Sequence, residues 1–154
     1  MTHLKVGDQA PDFSGLTEKG ETVSLADFAG KKLILFFYPK DNTPGCTAAA
    51  CDLRDNYAEL QKQGFELLGV SPDSPKKHTK FIEKFSFPFP LLADEDKVVL
   101  KAFDAWGLKK FMGREYDGVL RSTYIIDENG IISHVISKVK TKTHASQIMD
   151  LVAA

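Results

Sequence analysis

The chain holds two cysteines, Cys46 and Cys51, and both lie in or just after Tyr38-Pro39-Lys40-Asp41-Asn42-Thr43-Pro44-Gly45-Cys46-Thr47. Pro44 and Gly45 lead out of an apolar strand into a helix predicted to start near Cys46. A thiol in the first helical turn meets free N–H groups and the positive end of the helix dipole, which stabilise a thiolate. The thiolate is the nucleophilic form of cysteine, so the expected chemistry is that of a thiol enzyme.

The spacing of the pair constrains that chemistry. On ideal helix geometry the two Cα atoms stand about 8.6 Å apart, with the side chains rotated about 140° from each other. A disulfide needs roughly 4.4–6.8 Å between Cα atoms. A Cys46–Cys51 bond therefore requires the first turns of the helix to unwind, which makes it a redox switch rather than a staple. Ala48-Ala49-Ala50 between them favours helix and biases the reduced chain toward the wound form. Cys51 also admits a plainer reading, as an apolar filler on the buried face of its helix.

The elements that must position these residues read as an alternating pattern. Leu33 to Tyr38 is a continuous apolar run, as expected of a strand buried on both faces. Helical periodicity runs from about Thr47 to Gln63 and stops at Gly64, and Phe65 to Val70 forms a second buried strand. Ser74-Pro75 opens a helix that carries Phe81, Ile82 and Phe85 inward. Pro88-Phe89-Pro90-Leu91-Leu92 is extended, and Asp94 or Asp96 caps a helix through Val98, Val99, Leu100 and Phe103. Ser122–Ile126 and Ile131–Ile136 form a hairpin about Asp127-Glu128-Asn129-Gly130. Thr143 caps a last helix holding Ile148 and Leu151. Ahead of these, residues 1–30 read as an irregular arm with strand-like pieces at Val6-Gly7, Ala10–Phe13 and Thr22–Leu25. This order of α and β elements suits an α/β thioredoxin fold with an N-terminal extension, an insertion between its halves and a mixed central sheet flanked by helices.

Composition sets the frame. The 154 residues read as one domain, 1–154, with 43% hydrophobic and 27% charged residues. Twenty basic residues against twenty-one acidic ones leave a formal charge of −1. With no basic block, neither nucleic acid nor an anionic membrane is an expected partner. Met1-Thr2-His3-Leu4-Lys5 lacks an apolar signal core, so a cytoplasmic location is expected, where a lone cysteine pair tends to be catalytic or redox-active.

The segment Pro39-x-x-x-Thr43-x-x-Cys46 resembles the peroxiredoxin active-site motif, and Thr43-Pro44-Gly45-Cys46-Thr47-x-x-x-Cys51 resembles its Q-type branch. The likeness extends to Val6-Gly7-Asp8-Gln9-Ala10-Pro11-Asp12-Phe13, Phe36-Phe37-Tyr38-Pro39, Gly69-Val70-Ser71-x-Asp73, Phe89-Pro90-Leu91-Leu92-Ala93-Asp94, Trp106-Gly107 and Arg121-Ser122-Thr123-Tyr124. The resemblance implies a thiol peroxidase acting on hydrogen peroxide and organic hydroperoxides. Cys46 would be the peroxidatic thiolate that becomes a sulfenic acid, and Cys51 the resolving cysteine that closes an intramolecular disulfide. Thr43 would hydrogen-bond peroxide and thiolate, Pro39 would shield the thiolate from water, and Arg121 would lower the thiol pKa and stabilise developing charge. Thioredoxin or a similar dithiol protein would reduce the disulfide. No metal or organic cofactor is implied, and the chain would be a monomer or weak dimer.

One position departs from the branch. It usually carries Glu, sometimes Gln, where this chain has Ala49, so a side chain expected to join the arginine network is missing. The histidines His3, His78, His134 and His144 show no metal-ligand spacing to the cysteines. Lys40, Asp41 and Arg54 read as solvated charges, and Trp106, Phe111 and Met112 as core or loop packing. Two other functions use the same residues: a peroxide-sensing switch, or a general thiol–disulfide oxidoreductase, which would normally use Cys-x-x-Cys.

Overall fold

The computed structural model describes residues 4–153, so His3 lies outside the described residues. In chain order the elements are β1 (Ser14–Thr17), β2 (Thr22–Ser24), β3 (Lys32–Phe37), α1 (Pro44–Asp55), α2 (Tyr57–Lys62), β4 (Phe65–Ser71), α3 (Pro75–Phe85), β5 (Leu91–Ala93), α4 (Val98–Ala102), β6 (Trp106–Phe111), β7 (Arg114–Val119), β8 (Ser122–Ile126), β9 (Ile132–Ile136) and α5 (His144–Ala153). Seven strands form one sheet in the order β2-β1-β5-β4-β3-β8-β9. Strands β3, β4 and β5 run parallel, and β8 and β9 close one side antiparallel. This is the mixed sheet expected of the thioredoxin fold.

Strand β3 explains why the sheet is covered on both sides. Leu33, Leu35 and Phe37 join one apolar cluster, with Val99, Leu100, Phe103 and Tyr124, while Ile34, Phe36 and Tyr38 join another, with Cys46, Leu53, Phe81 and Ile148. The period-two alternation of strand side chains sends successive residues to opposite faces, and both faces are apolar here. Gly69 on β4 is dictated by the same crowding, since a Cβ there would stand 2.6 Å from Leu91 and 2.7 Å from Phe36.

Several sequence expectations need correction. The helix expected over 47–63 begins earlier, with Pro44 at its first positions, and it breaks at Asn56 into α1 and α2. The Asn56 side-chain amide donates to the Asp52 carbonyl at 2.8 Å, an alternative partner that competes with continued helix. Asp94 does serve α4 as expected, accepting from Val99 and Leu100 N–H groups. A 3₁₀ turn at Thr141–Thr143 precedes α5, in which Ile148 is buried but Leu151 is exposed. The hairpin of β6 and β7 was not legible, because Leu108 and Tyr116 are exposed and most of β7 lacks an apolar face. Met112 is exposed near its tip rather than packed, while Trp106 is half-buried beneath Lys97.

Candidate active site

Cys46 sits at the start of α1, where strand β3 hands the chain through Tyr38–Thr43 into the helix. Thr43 takes the extended backbone of an N-cap, and its carbonyl accepts the Thr47 N–H at 2.8 Å. The side chain does not cap the helix. Instead Thr43 Oγ1 donates to the Lys40 carbonyl at 2.9 Å, closing the loop on itself. Asn42, with φ of 61°, supplies the left-handed turn within that loop.

Sheet register delivers the arginine. Phe37 pairs with Ser122 across β3 and β8, so Arg121, just before β8, stands beside the end of β3. Its Nη2 donates to Cys46 Sγ at 3.2 Å, and Cys46 is 2% exposed. Gly45 makes room, because a Cβ there would sit 3.3 Å from Nη2. The other guanidinium nitrogen, Nη1, is buried with no hydrogen-bond partner. Ala49, one turn beyond Cys46 and buried, has no side-chain acceptor to offer it. An unsatisfied buried N–H beside a nucleophilic sulfur is a donor waiting for an oxygen.

Of the residues singled out from sequence, Cys46 and Arg121 are in contact, Thr43 occupies the N-cap position of the same helix with its side chain turned to Lys40, and Pro39 is half-buried just after β3. Cys51 lies in the same unbroken helix, half-buried and free, as does the free thiol of Cys46. Burial pushes the Cys51 thiol up, with Arg54 opposing and Asp55 adding to the shift. With both cysteines inside α1, the bond between them cannot form until the helix opens.

Sequence reasoning missed a buried polar network behind the loop. Asp41, expected to be a solvated charge, is buried. It accepts from Tyr38 Oη at 2.6 Å and shares a 2.6 Å hydrogen bond with His78 Nδ1, and its backbone N–H donates to Asp73. His78 Nε2 lies 3.0 Å from the Leu92 carbonyl, which can only accept, so that nitrogen carries a proton. Burial first, and then Asp41, push the Tyr38 phenol far above its ordinary value. Asp41, Asp73 and His78 bring one potential metal-ligand atom each within 4.8 Å of one another. Hydrogen bonds already engage those side chains: His78 Nδ1 with Asp41 Oδ2, and Asp73 Oδ2 with the Asp41 N–H and the Ser71 hydroxyl, both of which donate to it. Lys40, Lys77, Lys80 and Lys84 line the adjoining cavity of about 400 Å³ and oppose a bound cation. The network is therefore a brace for the loop, tying it to α3 and β5.

His144, which carried no signal in the sequence, is buried with Nε2 2.9 Å from Thr123 Oγ1 and Nδ1 without a partner. Desolvation first, and then Arg121, lower its pKa to about 4. It is thus a neutral ring close to Arg121.

The AhpC/TSA family profile matches residues 6–135. The chain belongs to that family. A peroxiredoxin bcp of Haemophilus influenzae is 51% identical over 150 residues, covering 97% of both chains. Peroxiredoxin Bcp of Escherichia coli K12 is 47% identical, covering 97% of this chain and 96% of its own. Among solved structures, peroxiredoxin Q of Xanthomonas campestris superposes with a TM-score of 0.88 at 34% identity, covering 99% of this chain and 96% of the other. A peroxiredoxin Q variant of Xylella fastidiosa gives a TM-score of 0.91 at 30% identity, covering 98% and 96%. Within the family this chain is a Q-type peroxiredoxin, a thiol peroxidase on the thioredoxin fold.

Proposed function

We propose that Cys46 is the peroxidatic nucleophile and Cys51 the resolving thiol of a hydroperoxide reductase. In the first step a lone pair of the Cys46 thiolate attacks the terminal oxygen of ROOH and the O–O bond breaks. Cys46 becomes a sulfenic acid, and the departing RO⁻ takes a proton to leave as an alcohol, or as water from hydrogen peroxide. The Cys51 thiol gives up its proton and its thiolate attacks the sulfenic sulfur; the S–O bond breaks, the leaving oxygen takes the proton to depart as water, and a Cys46–Cys51 disulfide remains. Two electrons from thioredoxin or a similar dithiol protein return both thiols.

The observation that carries this reading is Arg121, which donates from Nη2 to Cys46 Sγ while Nη1 is buried and unpartnered. One guanidinium can thus hold the sulfur anion and the peroxide oxygen on which charge develops. Thr43, its hydroxyl proton committed to Lys40, has Oγ1 lone pairs left to accept from the peroxide O–H. Pro39 contributes no N–H that could hold water near the thiolate, in keeping with the shielding role the resemblance implies. Alkyl peroxide reduction is described for the Xanthomonas campestris bacterioferritin comigratory protein, a solved structure that this chain resembles at 33% identity, and we extend that substrate class to this chain. A disulfide within one subunit needs no second copy, which fits a monomer or weak dimer. A catalytic disulfide that must be reduced each cycle fits a reducing cytoplasm. Among the described residues no helix is long and apolar enough to cross a membrane.

The test is peroxide consumption with thioredoxin and its reductase, using hydrogen peroxide and an alkyl hydroperoxide. Cys46→Ser should lose activity by about 10³-fold or more. Retention of wild-type rates in that variant would remove Cys46 from the role.

A further inference from the structure

The residues just after Cys51 reach out of α1 and cap two other helices. Asp52 Oδ2 accepts the Ala145 N–H at 2.7 Å, which places a carboxylate on the first turn of α5. Arg54 Nη1 donates to the Phe85 carbonyl at 2.7 Å, which places a guanidinium on the last residue of α3. Each charge has the sign that the facing helix dipole favours. Capping groups are commonly local, whereas these come from 93 and 31 residues away along the chain. Both therefore work as tethers between elements, holding the Cys51 segment against α5 and α3.

We propose that Asp52 and Arg54 are positioning residues for the resolving step: together they latch α1 closed and set how fast Cys51 reaches oxidised Cys46. The inference rests on the Cys46–Cys51 disulfide of the preceding section. Oxidation removes the negative charge from Cys46, weakening the hold that Arg121 exerts at that end of the helix. The two caps next to Cys51 do not depend on the sulfur's oxidation state, so they persist as the barrier to opening. While the latch holds, the sulfenic acid stays exposed to a second peroxide, which converts Cys46–SOH and H₂O₂ into Cys46–SO₂H and water. A tighter latch therefore gives slower resolution and easier overoxidation.

The experiment follows reduced protein by rapid-quench mass spectrometry after one equivalent of hydrogen peroxide. A peroxide titration during turnover then measures Cys46 sulfinic acid. Asp52→Ala should form the disulfide roughly fivefold faster, the shift expected for loss of one N-cap. It should also need several-fold more peroxide for half overoxidation. Asp52→Asn, which keeps an acceptor without the charge, should fall between Asp52→Ala and wild type, and Arg54→Lys should show a smaller gain. Sulfenic acid formation should keep its wild-type rate in all three. Disulfide formation that is unchanged or slower in folded Asp52→Asn and Arg54→Lys would overturn the latch. A wild type that forms no disulfide at all would instead overturn the resolving role of Cys51.

Discussion

Cys46 is almost completely buried and takes a hydrogen bond from Arg121, whereas Cys51, further along the same helix, is half-buried with its thiol pushed up by desolvation. The first is surrounded by fixed groups: the N-terminus of α1, the guanidinium, and a loop braced by the Tyr38–Asp41–His78 network. The second is held by tethers that must let go before it can react. On the roles proposed for the two cysteines, one helix combines a preorganised nucleophile with a partner kept waiting. Attack on peroxide needs geometry ready in advance, while resolution needs that geometry to be given up.

Removing the brace behind Cys46 should have the largest effect on the fold. His78→Phe leaves Asp41 buried with a lost partner, and should cost about 3–5 kcal/mol in urea unfolding of the reduced protein. A loss below about 1 kcal/mol would mean that the loop stands without the network. Next comes the arginine. Arg121→Gln should slow sulfenic acid formation by about 10²–10³-fold in single-turnover measurements, with Arg121→Lys recovering only part because it lacks the planar fork. Disulfide formation, once the sulfenic acid exists, should change far less, which would separate the two ends of the helix experimentally.

His144 gives the Cys46 end a pH signature. Above about pH 6.5 the ring is neutral whether folded or unfolded and contributes nothing. As pH falls from there, the unfolded chain takes up a proton that the folded chain refuses until about pH 4, so stability declines across that window. The decline from this residue should approach about 3 kcal/mol and then level off. His144→Gln should remove most of it in urea titrations at a series of pH values; an unchanged pH dependence would contradict the assignment. The smallest effect concerns the departure at Ala49. Ala49→Gln offers Arg121 Nη1 an acceptor, and should raise the peroxide rate by no more than about fivefold, one hydrogen bond's worth. A marked loss would show that Nη1 must stay unpartnered for substrate.

The sequence made the sheet and the cysteine helix legible because their signals are local. The apolar run of β3, the Pro-Gly lead into α1 and the Asn-Gly turn before β9 each declare an element within a few residues. Arg121 was legible through its place in Arg121-Ser122-Thr123-Tyr124, though its contact with Cys46 depends on β3–β8 register. What stayed hidden depends on distant partners. Asp41 reads as a surface charge until α3 brings His78 against it, and His144 reads as a helix start until Thr123 and Arg121 surround it. Asp52 and Arg54 look like ordinary helix-surface charges, since nothing near them in sequence shows that α5 and α3 end beside them. The β6–β7 hairpin escaped notice because little of it is buried, which leaves no period to read.

Peptide-mapping mass spectrometry of wild type and Cys51→Ser, each reduced and given one equivalent of hydrogen peroxide, tests the division of labour most directly. The expected result is a Cys46–Cys51 disulfide in wild type and a sulfenic acid confined to Cys46 in Cys51→Ser, with peroxide consumed in both. Oxidation appearing first on Cys51, or two untouched thiols with peroxide still in solution, would contradict it.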